Sequence, residues 1–195
     1  MSTLSIFNPA NGQLVNTLPA DDADSFAAKA TAARPTSRLG RYTASHCKSC
    51  VEKFRASVVQ DMDALALTMT RETGKPVQLS RNELNGLLGR IDFFLTKVDG
   101  CLATETVMSE GGMTEQIEHI PLGVIANISA WNYPWFVGCN LILPALLAGN
   151  AVFYKPSECA TNTGLAIARL LHQAGVPQDV MVCLSTQPRI GYSRP

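Results

Sequence analysis

From Ile120 to Tyr154 the chain carries no Asp, Glu, Lys or Arg. An uncharged run of that length exceeds the ~20 residues that span a bilayer, so it has two ways to fold, as a membrane helix or as a buried core. Its punctuation decides between them. Pro121, Pro134 and Pro144, Gly123, Gly138 and Gly149, and Asn127, Asn132, Asn140 and Asn150 recur through it. Prolines and glycines at that density interrupt a continuous helix, and each amide would enter lipid with nothing to pair it. The run predicts the core of a soluble protein. Composition also points to hidden surface: 46% of the 195 residues are hydrophobic and 16% are charged, against about 25% charged in an average globular protein. Such a chain hides much of its surface in a core or against partner subunits. Basic and acidic residues balance to a net charge of zero, which leaves no electrostatic footprint for nucleic acid or for an anionic membrane.

Six cysteines (Cys47, Cys50, Cys101, Cys139, Cys159 and Cys183) are scattered along the chain. Met1-Ser-Thr-Leu has neither a basic stretch nor an apolar one of the kind that opens a secretory leader, so a reducing, cytoplasmic setting is expected. His46-Cys47-Lys48-Ser49-Cys50 contains a C-x-x-C, but no second Cys/His pair stands nearby to complete a tetrahedral zinc site. No metal is expected.

The pattern of elements is helical at first. Asp21-Asp22-Ala23-Asp24 ahead of Phe26 reads as a helix start, with acids at the positive end of the dipole. Asp61 precedes the periodic Met62, Leu65, Leu67 and Met69, and Gly74 with Pro76 closes that helix. Leu84, Leu87, Leu88, Ile91, Phe94, Leu95 and Val98 then recur at three- and four-residue steps, one apolar stripe of a further helix. Residues 104–120 are β-branched and polar and are split by Gly111-Gly112, which predicts a hairpin or arm with two open edges.

After the arm the pattern becomes α/β. Residues 123–128 form a short apolar run suited to a strand buried on both faces. A helix follows over 135–148, which Pro144 should kink or shorten. Gly149-Asn150 turns the chain into a second buried strand, 151–154. A helix opens at Thr161 and ends at Gly175 and Pro177, and a third strand covers 180–184. This β-α-β-α-β order is half of a doubly wound, Rossmann-like parallel sheet, a fold whose ligands sit at the carboxyl ends of the strands.

Those ends carry Ser129-Ala130-Trp131-Asn132-Tyr133-Pro134 and Lys155-Pro156-Ser157-Glu158. Together with Pro121-Leu122-Gly123-Val124, Pro144-Ala145-Leu146-Leu147-Ala148-Gly149-Asn150 and Glu72-Thr73-Gly74-Lys75-Pro76, they make the chain resemble the aldehyde dehydrogenase superfamily. The resemblance runs from about Ile6 to about Leu184. It implies a division into an amino-terminal helical part of the cofactor-binding domain (1–103), an oligomerisation-type β-arm (104–120), the first half of the NAD-binding domain (121–184) and a divergent tail (185–195).

In that family a cysteine thiolate attacks the aldehyde, hydride passes to the nicotinamide, and a glutamate-activated water releases the acid. The resemblance implies NAD as cofactor, with Ser129, Trp131, Lys155 and Glu158 as the residues that bind it. A lysine donor and a carboxylate acceptor suit the two hydroxyls of the adenine-side ribose; their other use is as a solvated pair at a helix start. Asn132 would supply the side-chain N–H that stabilises the oxyanion; its other use is to cap the following helix. Tyr133, Val137 and Asn140 match positions that line the substrate tunnel, where Asn140 is smaller and more polar than the aromatic often found. A small-molecule aldehyde and a homo-oligomer are the partners the family implies. An acylating or phosphate-reducing relative, and a non-catalytic association fragment, are the rival readings.

Two stretches depart from the family pattern, Arg34 to Cys50 and Ser185 to Pro195, and both look like sequence read out of frame. None of the six cysteines lies in the nucleophile's context, and Cys139 and Cys159 have no neighbouring base or cation to activate them. The nucleophile and the general-base glutamate are expected beyond residue 195, so the chain by itself is expected to be inactive.

Overall fold

The computed structural model describes residues 3–33 and 44–186. It is an α/β structure built on a three-stranded parallel sheet in the order β5-β6-β7, with β5 at Val124–Ile128, β6 at Ala151–Lys155 and β7 at Met181–Cys183. Helix α5 (Pro134–Leu147) crosses from β5 to β6, and α6 (Thr161–Gln173) from β6 to β7. This is the half of a doubly wound sheet that the sequence pattern predicts.

Successive residues of β6 serve opposite faces of the sheet, as a period of two requires. Val152 and Tyr154 join the main core, with Trp135, Ile142 and Leu143 from α5 and Ile167, Leu170 and Leu171 from α6. Phe153 points the other way into a smaller cluster with Ala33, Val182 and Leu184. Phe26 of α1 (Ala23–Ala32) meets the Phe153 ring edge-on at 5.1 Å, so α1 lies over this second face. The helix starts as its acids suggest: Asp22 accepts from the Ser25 N–H, and the Ser25 hydroxyl accepts from the Asp22 N–H, a reciprocal cap.

The main core continues into three helices. They are α2 (Ala44–Gln60), α3 (Met62–Thr73) and α4 (Val77–Leu102). Gly74 ends α3 in the left-handed region, φ 74°, with its N–H on the Thr70 carbonyl, a conformation that favours glycine. Hairpin β3–β4 (Glu105–Glu110 and Met113–Ile117) turns at Gly111-Gly112 and is exposed almost throughout. No helix among the described residues is long and apolar enough to cross a membrane.

Three expectations change. The amino-terminal part is not helical from its start: β1 (Thr3–Phe7) pairs antiparallel with β2 (Leu14–Pro19), burying Leu4 and Ile6 on one side. The strand at 124–128 is not buried on both faces, since Val124 is 47% and Ile128 80% exposed; among the described residues β6 alone pairs with it. Pro144 does not shorten α5, which runs on to Leu147 with the Ala148 N–H donating to the Pro144 carbonyl. The proline sits in the last turn, and the carbonyl it deprives of a donor belongs to Asn140, an exposed residue that water can serve.

Candidate functional site

Strands β5 and β6 end in the two polar corners. Their backbones are tied to each other there, the Ser129 N–H donating to the Lys155 carbonyl at 3.0 Å. The Lys155 ammonium lies 4.0 Å from the Glu158 carboxylate, and both side chains are about one-third exposed or less, at 29% and 28%. Glu158 opens on a cleft of about 170 Å³ that it shares with Trp131, Cys159, Glu72 and Thr73. Ser129 is buried. The residues expected at the cofactor are therefore gathered at the ends of two adjacent strands.

Asn132 is exposed at the corner before α5. Its side-chain amide takes no hydrogen bond among the described residues, and the residue before the first turn, Tyr133, makes no side-chain cap either. The capping is done from elsewhere. Glu83 of α4, whose side chain is fully buried, receives the Trp135 N–H at 2.8 Å and the Phe136 N–H at 3.1 Å on one oxygen. Its other oxygen takes the Lys75 ammonium at 2.6 Å. Lys75 also donates to the Asn132 backbone carbonyl at 2.7 Å and sits 4.4 Å from the centre of the Tyr133 ring.

Helix α6 starts in the same manner. Glu72, 3% exposed at the end of α3, accepts from the Asn162 N–H, from the Thr163 N–H at 2.7 Å and from the Thr163 hydroxyl at 2.7 Å. Burial pushes its carboxyl above the usual range, against the pull of these bonds. Each crossover helix thus begins on a buried acid lent by the α3–α4 pair, which satisfies N–H groups that a helix start leaves unpaired.

Tyr133, Val137 and Asn140 are all exposed, at spacings that set them on one side of α5. They do not share one cleft. Tyr133 borders one of about 440 Å³ with Lys75, Glu83 and Phe136; Val137 and Asn140 border another, about 560 Å³, with Asn127 and Ile128. Arg90 of α4 reaches this side and donates to the Asn140 side-chain oxygen at 2.7 Å.

Sequence reasoning quoted Glu72 and Lys75 without giving either a role and missed Glu83 and Arg90. Both acids carried a signal. Glu72 falls three residues after Met69, and Glu83 four before Leu87, so each acid occupies the apolar stripe of its helix.

Four of the six cysteines are held in the thiol form by burial. Burial pushes the thiols of Cys47, Cys50 and Cys139 up, and that of Cys183 to about 12, so all four stay protonated near neutrality. Cys47 and Cys50 face the core from α2. Among the described residues no three His, Cys, Asp or Glu side chains are grouped to hold a metal ion.

The chain matches the aldehyde dehydrogenase family over residues 1–192. The chain belongs to that family. It is similar to the 3,6-anhydro-alpha-L-galactose dehydrogenase of Streptomyces coelicolor, 34% identical over 201 residues that cover 97% of this chain and 41% of that one. The N-succinylglutamate 5-semialdehyde dehydrogenase of Novosphingobium aromaticivorans is 34% identical over 143 residues, 73% of this chain and 30% of that one. A solved succinate-semialdehyde dehydrogenase from Burkholderia pseudomallei superposes with a TM-score of 0.87 at 29% identity, over 96% of this chain and 39% of that one. The chain spans about two-fifths or less of the length of these relatives. Aldehyde dehydrogenases use NAD or NADP.

Proposed function

We propose that this chain is the amino-terminal, cofactor-side part of an enzyme that oxidises an aldehyde to a carboxylic acid with NAD. The observation that carries the reading is the Asn132 amide beyond the carboxyl end of β5, unbonded among the described residues because Glu83 takes the capping role. A donor already in place where negative charge develops needs no reorganisation during the reaction. Asn132 would donate to the aldehyde oxygen as it becomes an oxyanion, while the nucleophile and the base come from residues outside this chain.

The corner at the end of β6 fits the cofactor's ribose. It offers one cation and one carboxylate side by side, both reachable from solvent, next to a cleft walled by the Trp131 ring. Glu158 would accept from a ribose hydroxyl and Lys155 would donate to its neighbour. NAD, when bound, supplies the acceptor for the hydride that leaves the aldehyde carbon. A carboxylate at the 2′-position repels a 2′-phosphate, which favours NAD over NADP.

The test is Asn132→Ala in the complete enzyme. Loss of one oxyanion donor lowers kcat by roughly 10²–10³, with NAD affinity unchanged in a fluorescence titration. An unaltered kcat overturns the reading. Equal kcat/KM for NAD and NADP in the unmutated enzyme overturns the cofactor assignment.

A further inference from the structure

We infer that Lys75 and Glu83 are positioning residues for Asn132, a single part-buried ion pair that fixes the corner from which the oxyanion donor projects. The inference rests on the role proposed for Asn132.

The corner runs from Asn132 to Phe136, and the pair holds both of its ends. At the near end the Lys75 ammonium bonds the Asn132 carbonyl at 2.7 Å and lies against the Tyr133 ring at 4.4 Å. That carbonyl belongs to the peptide joining Asn132 to Tyr133, so holding it restricts the rotation that would swing the Asn132 side chain away. At the far end Glu83 grips the first turn of α5 through the Trp135 and Phe136 N–H groups. The 2.6 Å contact between Lys75 and Glu83 joins the two grips. An ammonium has three N–H donors, and the carboxylate, the carbonyl and the ring face give Lys75 three acceptors.

Energetics also argue that the pair serves geometry. The Lys75 side chain is 14% exposed and that of Glu83 is wholly buried, and a pair so placed gives up most of its hydration. Replacing such pairs with apolar residues is often neutral or stabilising. A buried carboxylate paired with a partly buried ammonium is better explained by the direction the pair imposes on the corner than by stability alone. The Asn132 side chain has no other anchor, since its amide is unbonded among the described residues.

The experiment is a double-mutant cycle in the complete enzyme. Lys75→Met removes the near grip and keeps Glu83 on the helix start. It is expected to lower kcat for aldehyde oxidation by about 10- to 100-fold, the range that a displacement of about 1 Å produces, with KM for NAD unchanged. Lys75→Arg, which keeps the charge and the donors, restores part of the loss. In the Asn132→Ala background Lys75→Met costs little more, because the group it positions is gone. The same loss in both backgrounds, or an undiminished kcat in the single variant of an enzyme that oxidises aldehydes, overturns the inference. If Asn132→Ala itself leaves kcat intact, the reading of Asn132 falls and this inference falls with it. Glu83→Gln is the second variant: it should reproduce the kcat loss, and a fall in Tm without any fall in kcat also overturns the inference.

Discussion

Strands β5 and β6 lie side by side in register, from Val124 opposite Ala151 to Ile128 opposite Lys155. Each follows a glycine within two residues, each is mostly apolar, and each ends in a polar corner. Yet Ala151, Val152, Phe153 and Tyr154 are all buried, whereas Val124 and Ile128 stand largely in solvent. The letters do not make this difference. β6 has a strand on either side, α5 and α6 over one face and α1 over the other, while β5 has one strand neighbour among the described residues. Burial is a property of a strand's place in the sheet, and similar strings can take either place.

The sharpest way to break this comparison is one charge placed in each strand of this chain. Val152→Asp buries an unpaired carboxylate, a penalty of several kcal/mol against a total stability of about 5–15 kcal/mol, so cooperative unfolding should be lost. Val124→Asp should shift stability by about 0.5 kcal/mol or less, as surface changes do. Urea unfolding followed by circular dichroism reads both, and equal losses at the two sites would refute the argument.

A smaller effect is expected behind β6. A Cβ on Gly164 would come within 2.5 Å of Pro156 Cβ and 2.6 Å of its Cγ, and within 3.3 Å of the Tyr154 ring. Gly164→Ala forces the proline corner away from α6 and should cost roughly 1–3 kcal/mol; an unchanged midpoint would mean that the corner yields freely.

The polar anchors around β6 extend the comparison to pH. Glu72→Gln leaves at least one of the donors on α6 facing an NH₂ group and should cost about 1–3 kcal/mol. Because the folded state holds the Glu72 carboxyl above its ordinary 4.5, it binds that proton more tightly than the unfolded chain does. The group's contribution to stability is therefore full below 4.5 and declines as pH rises through the folded value. The variant should lack this decline, and identical pH slopes with and without Glu72 would contradict the assignment.

Asp21 has the opposite sign and a smaller effect than Glu72. It accepts from Lys29 at 2.8 Å and from the Ser185 N–H at 2.9 Å, joining the start of α1 to the end of β7. Burial opposes its ionisation, but the bonds from Lys29, Ser185 and Ser25 outweigh it and hold the carboxyl below 3.8. Its contribution is present above 3.8 and lost as pH falls through the lower, folded value. Asp21→Asn should cost about 1 kcal/mol or less, as partly exposed pairs do, and should flatten the acid limb of a stability-against-pH curve. A loss as large as that of Glu72→Gln would show that α1 carries more of the fold than its contacts suggest.

The sheet and its crossovers were legible because glycines and prolines bracket the runs, and because strands of three to five residues and helices of thirteen or fourteen differ in length beyond confusion. The hairpin at Thr3–Pro19 was overlooked although Leu4 and Ile6 alternate with exposed residues, since five residues of alternation make a faint signal. Of the stretch from Arg34 to Cys50, which looks foreign to the family, residues 34–43 lie outside the described residues. Residues from Ala44 onward form α2, where Cys47 and Cys50 fall in step with Val51, Phe54 and Val58 on its buried face. The tail after Leu184 is described only as far as Thr186. In the site, motif residues could be named from the resemblance, whereas Glu83 and Arg90 could not. What they do depends on which turn of α5 lies against α4, and spacing within one helix does not encode that.

The two borrowed caps also bear on the order of assembly. Glu83 serves a donor 52 positions later in the chain, and Glu72 one 91 positions later. A polypeptide is made from its amino end, so α3 and α4 are synthesised before α5 and α6. Each crossover helix is therefore made after the acid that caps it, and its first turn closes on a side chain supplied from far upstream.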